Sequence, residues 1–364
     1  MKFRVFSVVL AVVMLCTVLC LSGCGKDKVI EVSSQPEETS EASSKPDTSV
    51  NPLTGLDGMD PAAFKQRPVA VMVNNIKTAQ SVQTGLNDAD IVYEAYAEGG
   101  ITRLLAVYKD VSKVGNIGTV RSARYSYVDL AMGHDALYVH AGMDPTKCKA
   151  HIAETGIDNF NMLNGGPSKY SFRVKNGKAL EHTLYTSGAK LNEGFAALSY
   201  RRDLKADPKN WQCFVAEDSP VTPADGSCNE AVVTMSADYV SRFKYDSATG
   251  RYLKFSGSSA HKDYRTGKQL SFKNVLVLKT DVTAMESTGY LQKTGLTGGE
   301  GYYISNGGYQ NIKWSKGAAS NPITITLTDG SDCSYNAGNT WVCLVDRTHS
   351  VTITGDTAAS SAVQ

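Results

Sequence analysis

Three arginines, Arg103, Arg121 and Arg124, fall where apolar runs end and turns begin. A guanidinium is a planar fork of donors that fits a phosphate or a carboxylate bidentately. Three such forks at the strand ends of one α/β sheet can converge at its mouth, where ligands of these folds bind. The competing reading pairs each of them with a carboxylate, and Glu94, Glu98 and Asp129 are close in sequence. Glu94 and Glu98 follow a strand signal and precede Gly99-Gly100. On one strand a spacing of four puts both on the same face. There they would act as an acid and base pair or as metal ligands, or would simply neutralise the arginines. His140 closes an apolar run and His182 sits in a loop ahead of a helix. Either could be a general base near neutral pH, and either could be a packed, hydrogen-bonded ring. Asn74 and Asn75 directly follow the first strand, where Asn reads a ligand or forms a turn. No Gly-rich phosphate loop, nucleophile elbow or His-Glu-x-x-His pattern is present.

The elements that must position these residues alternate in the first half. Strands are expected at Pro68 to Val73, Ile91 to Tyr96, Thr102 to Tyr108 and Ala136 to His140. Helices are expected from Arg124 to Met132, at 145–155 and from Ala189 to Leu198. Asp144 followed by Pro145 is a helix start, and Gly156 a stop. After Asp207-Pro208 the pattern changes to short strands between turn clusters. These are a hairpin through Phe243 to Tyr245 and Tyr252 to Phe255, then Asn274 to Lys279, Tyr302 to Ser305, Ile323 to Leu327 and Thr340 to Val345. The expected fold class is therefore mixed α+β and α/β, an N-terminal α/β domain with a mixed sheet followed by a β-rich C-terminal domain.

Composition sets the limits. The 364 residues carry 37 basic and 36 acidic side chains, a net charge of +1, so no global field draws nucleic acid and any anion site must be local. Lys2 and Arg4, an apolar run from Val5 to Leu21, and the ending Leu21-Ser22-Gly23-Cys24 have the build of an export signal. The alternative is a plain N-terminal membrane anchor, since an apolar run of about 17 residues is near the lower limit for a span. The Ser, Glu and Pro-rich stretch after Cys24 has no apolar periodicity and reads as a tether. The expected division is 1–24 leader, 25–52 tether, 53–205 α/β domain, 206–354 β-rich domain and 355–364 tail. Cys16 and Cys20 lie in the leader, which leaves Cys148, Cys213, Cys228, Cys333 and Cys343 besides Cys24. An oxidising compartment permits bridges, and Cys213 with Cys228 and Cys333 with Cys343 each flank a turn-rich segment of hairpin length. No cysteine spacing supports a structural metal.

Two kinds of resemblance add to this reading. Leu21-Ser22-Gly23-Cys24 resembles the lipobox of bacterial lipoproteins, which implies cleavage before Cys24 and lipid on its thiol. The runs Asp88 to Arg103, Gly118 to Arg124 and Tyr138 to Gly142, with Gln269 to Val277 and Gly338 to Val342, resemble the YerB-like lipoprotein family. That resemblance covers both halves and implies a two-domain protein on the outer face of the cytoplasmic membrane. The order of elements from Gly100 to Gly142 is also similar to the LytR-CpsA-Psr envelope phosphotransferases, which use arginines around a pyrophosphate and a magnesium-binding aspartate. Here Ser122 follows Arg121 where those enzymes carry an acid, and no Asp adjoins Arg103, so magnesium chemistry is not carried over and no cofactor is expected.

Three functions remain. The first is a lipoprotein that binds an anionic envelope ligand, a cell-wall glycan or a lipid-linked pyrophosphate, through the arginines, with Asn74, Asn75 and His182 alongside. The second is a transferase or hydrolase acting on that ligand, with Glu94, Glu98 or His140 as its catalytic group. The third is a scaffold whose β-rich domain docks another envelope protein.

Overall fold

The computed structural model describes residues 49–205 and 212–355. Cys24 with the leader, residues 25–48 of the expected tether, residues 206–211 at the expected junction, and 356–364 lie outside the described residues.

An 11-stranded mixed sheet runs through both halves of the chain. Its order from one edge is Thr324–Leu327, Gly308–Ser315, Gly298–Ser305, Asn274–Thr280, Thr340–Asp346, Ile91–Glu98, Ile101–Tyr108, Val69–Asn74, Leu137–His140 and Asn159–Asn161, with Gly226–Ser227 beside Gly308–Ser315. The Thr340–Asp346 strand is parallel to both its neighbours, pairing Thr340 with Asn274 on one side and with Ile91 on the other. The Val69–Asn74 strand is parallel to Leu137–His140 and antiparallel to Ile101–Tyr108. Strands in this central position are buried on both faces, which is why they read as continuous apolar runs. Val69, Val71 and Val73 enter one core while Ala70 and Met72 enter the other.

One face of the sheet carries the helices Tyr125–Met132 and Lys147–Thr155. The opposite face packs on a six-stranded sheet that includes Glu230–Thr234, Val240–Asp246, Arg251–Ser256 and Val351–Thr354. Farther along that same face the Gly188–Ala197 helix inserts Leu191 and Phe195. Trp341, fully buried, points into the core between the two sheets and meets Phe243 and Phe272 edge-on. Helix ends follow local chemistry. Asp144 accepts from the Cys148 amide at 2.8 Å, and Gly156 closes the same helix at φ 62°, a conformation glycine adopts without strain.

The two expected disulfides are not formed; all five described cysteines are free thiols. Cys343 faces the core between the two sheets, whereas Cys333 belongs to the core under the helices. Cys228 likewise faces the first core, and Cys213 is exposed, its carbonyl accepting from the Tyr335 amide on the other face. Hairpin-length spacing says nothing about which side of a sheet each thiol reaches.

Candidate functional site

The segment Thr119 to Ala123 lies across the C-terminal ends of the parallel strands. The Asn74 amide donates to Thr119 O, the Arg121 amide to Met72 O, the Ala141 amide to Arg121 O and the Ala123 amide to Gly142 O. The arginines are thereby brought to the carboxyl end of this part of the sheet, as expected for an α/β fold.

They do not converge as one cluster. Arg103 and Arg124 meet on Glu98. Arg103 Nη2 lies 2.5 Å from Glu98 Oε1, while Arg124 Nε and Nη2 lie 2.6 and 3.0 Å from its two oxygens. The side chains of Arg103 and Glu98 are almost fully buried. The Arg103 guanidinium is held below its usual value first by burial and then by Arg124, with Glu98 acting in the opposite direction. Burial works against ionisation of Glu98, and is outweighed by Arg103 and Arg124, so its carboxyl is held low. Arg103 Nη1 also donates to Ser122 O at 2.5 Å, which ties this buried triad to the 119–123 segment. Arg121 points elsewhere, to Glu181 at 3.0 Å. Asp129, an expected partner, pairs with His151 instead.

Glu94 and Glu98 do not share a face. The register of their strand shifts between Tyr96 and Glu98, a bulge that turns Glu98 to the side of Arg103 and the Tyr125–Met132 helix. Glu94 faces the core between the two sheets, where Ser241 Oγ, Thr102 Oγ1, Asn75 Nδ2 and Trp341 Nε1 donate to it at 2.5, 3.0, 3.2 and 3.3 Å. They therefore cannot act together as an acid and base pair. Buried Lys254 lies near Glu94, its ammonium 4.9 Å from the Trp341 ring, and burial lowers its pKa. His140 is packed, its Nδ1 2.8 Å from Gly142 O and its Nε2 3.2 Å from Asn159, and burial lowers its pKa. His182 is held by Asn74 at 2.8 Å. Asn75 is spent on Glu94 and Thr102. Among the described residues no group of three His, Cys, Asp or Glu side chains could hold a metal ion.

The open feature at the strand ends is a cleft of about 480 Å³ between the 120–122 segment and the 179–184 loop. Arg121 and Arg173 line it together with Leu163 and Leu180, which are 51% and 68% exposed. Arg121 Nε is buried and has no hydrogen-bond partner. Arg173 Nη1 donates to Leu180 O at 2.6 Å, fixing the loop that forms the rim. The sequence reading missed Arg173. The alternation Phe172, Arg173, Val174 is a short strand signal that could have found it, since Phe172–Arg173 pairs with Leu184–Ser187.

Residues 53–201 match a family model described as "Protein of unknown function (DUF3048) N-terminal domain", and residues 231–342 match the corresponding C-terminal domain. The chain is 30% identical over 296 residues to YerB of Bacillus subtilis (strain 168), a protein named as a proposed lipoprotein, covering 81% of this chain and 85% of that one. Its fold is similar to the crystal structure of the YerB protein from Bacillus subtilis, with a TM-score of 0.70 and 27% identity, covering 83% of this chain and 99% of the other.

Proposed function

Because the chain belongs to the two-domain DUF3048 family of YerB-like proteins, we propose that it is a lipoprotein, anchored through Cys24 outside the cytoplasmic membrane, that holds an anionic amphiphile. The ligand is a lipid-linked pyrophosphate, and the cleft at the strand ends receives it. One observation carries this reading. Two guanidiniums, Arg121 and Arg173, line a cleft whose rim is two exposed leucines. A guanidinium fits a phosphate bidentately, and exposed leucines beside a charged pocket suit a chain bearing a charged head. Arg124 cannot serve the ligand directly, because two of its nitrogens are spent on Glu98 and the third donates to Ala123 O at 2.9 Å. Its task, with Arg103, is to hold the segment that presents Arg121.

The test is calorimetry on the full chain in nanodiscs with geranyl pyrophosphate and with inorganic pyrophosphate. Arg121→Ala is expected to weaken both by roughly tenfold to a hundredfold, the worth of one charge-assisted bond. Leu180→Ser is expected to weaken the geranyl ester more than the inorganic ion. Absence of binding, or binding indifferent to Arg121→Ala, refutes the proposal.

A further inference from the structure

Among the described residues three leucines are exposed, Leu163 at 51%, Leu180 at 68% and Leu198 at 37%, and they lie in one stretch of the chain. Leu163 and Leu180 both line the cleft that Arg121 and Arg173 line. Leu198 follows the Gly188–Ala197 helix and crowds the turn that Leu163 opens, since a Cβ on Gly166 would lie 2.7 Å from Leu198 Cδ2.

The same stretch is one-sided in charge. From Asn159 to Leu180 there is no Asp or Glu, while Lys169, Arg173, Lys175 and Lys178 are all exposed. Among the described residues none of the four pairs with a carboxylate; Arg173 Nη1 donates instead to Leu180 O and Thr183 Oγ1, at 2.6 and 3.0 Å. The next acid along the chain, Glu181, is taken by Arg121 at 3.0 Å. A chain whose total charge is +1 thus shows four uncompensated cations on the segment that carries two of its exposed leucines.

The loop that presents them is fixed. Phe172–Arg173 pairs with the Leu184–Ser187 strand, and the Val174 amide donates to Thr183 O at 2.9 Å. Asn176 Nδ2 donates to His182 O and Tyr185 Oη at 2.8 and 3.0 Å, and its Oδ1 accepts from the Lys178 amide at 3.1 Å. Tyr185 Oη in turn donates to Val82 O at 2.6 Å. Little ordering entropy is therefore lost when this surface meets a partner.

Either feature alone would be ordinary, scattered apolar side chains or a solvated basic face. Together they fit a partner that offers hydrocarbon beneath a layer of negative charge. A soluble polyanion would engage the cations and leave the leucines in water. An anionic bilayer takes both, with leucines entering the acyl boundary while the long basic side chains stay among the phosphates.

We propose that the surface formed by residues 163–180 and Leu198 docks on an anionic phospholipid bilayer, which opens the cleft at the level of the headgroups. The use made of that placement, passage of a lipid-linked head from bilayer to cleft, rests on the proposed function; the docking itself does not. Hydrogen–deuterium exchange of the full chain in nanodiscs of phosphatidylglycerol or of phosphatidylcholine, with no pyrophosphate present, tests it. Amides of 163–180 are expected to exchange severalfold more slowly on phosphatidylglycerol, with 256–264 unchanged. Each cation at such a surface is worth roughly fivefold in the docking equilibrium, so Lys169→Gln, Lys175→Gln and Lys178→Gln together should remove the difference. Leu180→Ser should reduce the protection, and soluble polyphosphate should not reproduce it on phosphatidylcholine. Equal exchange on the two lipids, slowing throughout the chain, protection indifferent to both sets of changes, or protection reproduced by polyphosphate overturns the proposal. Calorimetry with the pyrophosphates on phosphatidylcholine nanodiscs reads the cleft separately, so either result stands without the other.

Discussion

Glu98→Gln should destabilise the protein far more than an exposed ion-pair deletion does. The carboxylate makes three contacts of 2.5 to 3.0 Å with two guanidiniums, at 8% exposure for itself and 5% for Arg103. The amide keeps the shape and one acceptor but removes the charge that compensates Arg103. Breaking a buried pair by removing one partner costs about 3 to 5 kcal/mol, against at most about 1 kcal/mol for an exposed pair. Arg103→Met should cost less, because Glu98 then retains the fork of Arg124. The pH dependence fixes the mechanism. Glu98 is held below its ordinary 4.5 in the folded state, so its contribution is present above that value and is lost as pH falls through the depressed one. Urea denaturation from pH 3 to 8, with the m-values compared, reads both effects. The gap between wild type and variant should be widest at neutral pH and should narrow below about 4.5. A cost under about 1 kcal/mol at pH 7, or a gap that does not change with pH, refutes the buried-triad reasoning.

Gly188→Ala should destabilise by about 2 kcal/mol or more, even though Ala favours a helix by about 1 kcal/mol. Its Cβ would lie 1.8 Å from Val111 O and 2.6 Å from Val114 O, so overpacking decides the sign; the denaturation midpoint checks it. In a thiol-reagent assay of the folded protein Cys213 should react first, because it is exposed, while Cys148, Cys228, Cys333 and Cys343 wait for unfolding. Burial pushes the Cys148 thiol up to about 12 and those of Cys228 and Cys333 to about 11. Early labelling of all four buried thiols would contradict the core assignments. Cys24→Ala should release the protein from the membrane fraction after processing; equal retention of wild type and variant argues against the lipid anchor.

Local chemistry made much of the fold legible. The stop at Gly156, the start at Asp144 and the apolar run of Val69 to Val73 placed their elements within a residue or two. Pairing was not legible. Nothing in the period of Thr340 to Val345 states that this strand enters between Ile91–Glu98 and Asn274–Thr280, because partner choice is settled by long-range packing rather than by local pattern. The same limit governs the candidate site. Residue type marked Arg103, Arg121 and Arg124, but a single bulge after Tyr96 decided that Glu98, and not Glu94, would meet two of them.

The late strand at the centre of the sheet also sets a schedule. Glu94 and Trp341 are 247 positions apart, and a ribosome adds about 5 to 20 residues per second, so the free side of Ile91–Glu98 waits roughly 10 to 50 s for its partner. During that interval it is an unpaired edge, the kind of surface on which another nascent copy can add a strand. Glu94 stands on it and would be stranded in such a pairing, since Lys254, Ser241 and Trp341 all come later in the chain. The carboxylate that looks costliest in the finished core thus guards the unfinished one, until Trp341 and Ser241 arrive to receive it.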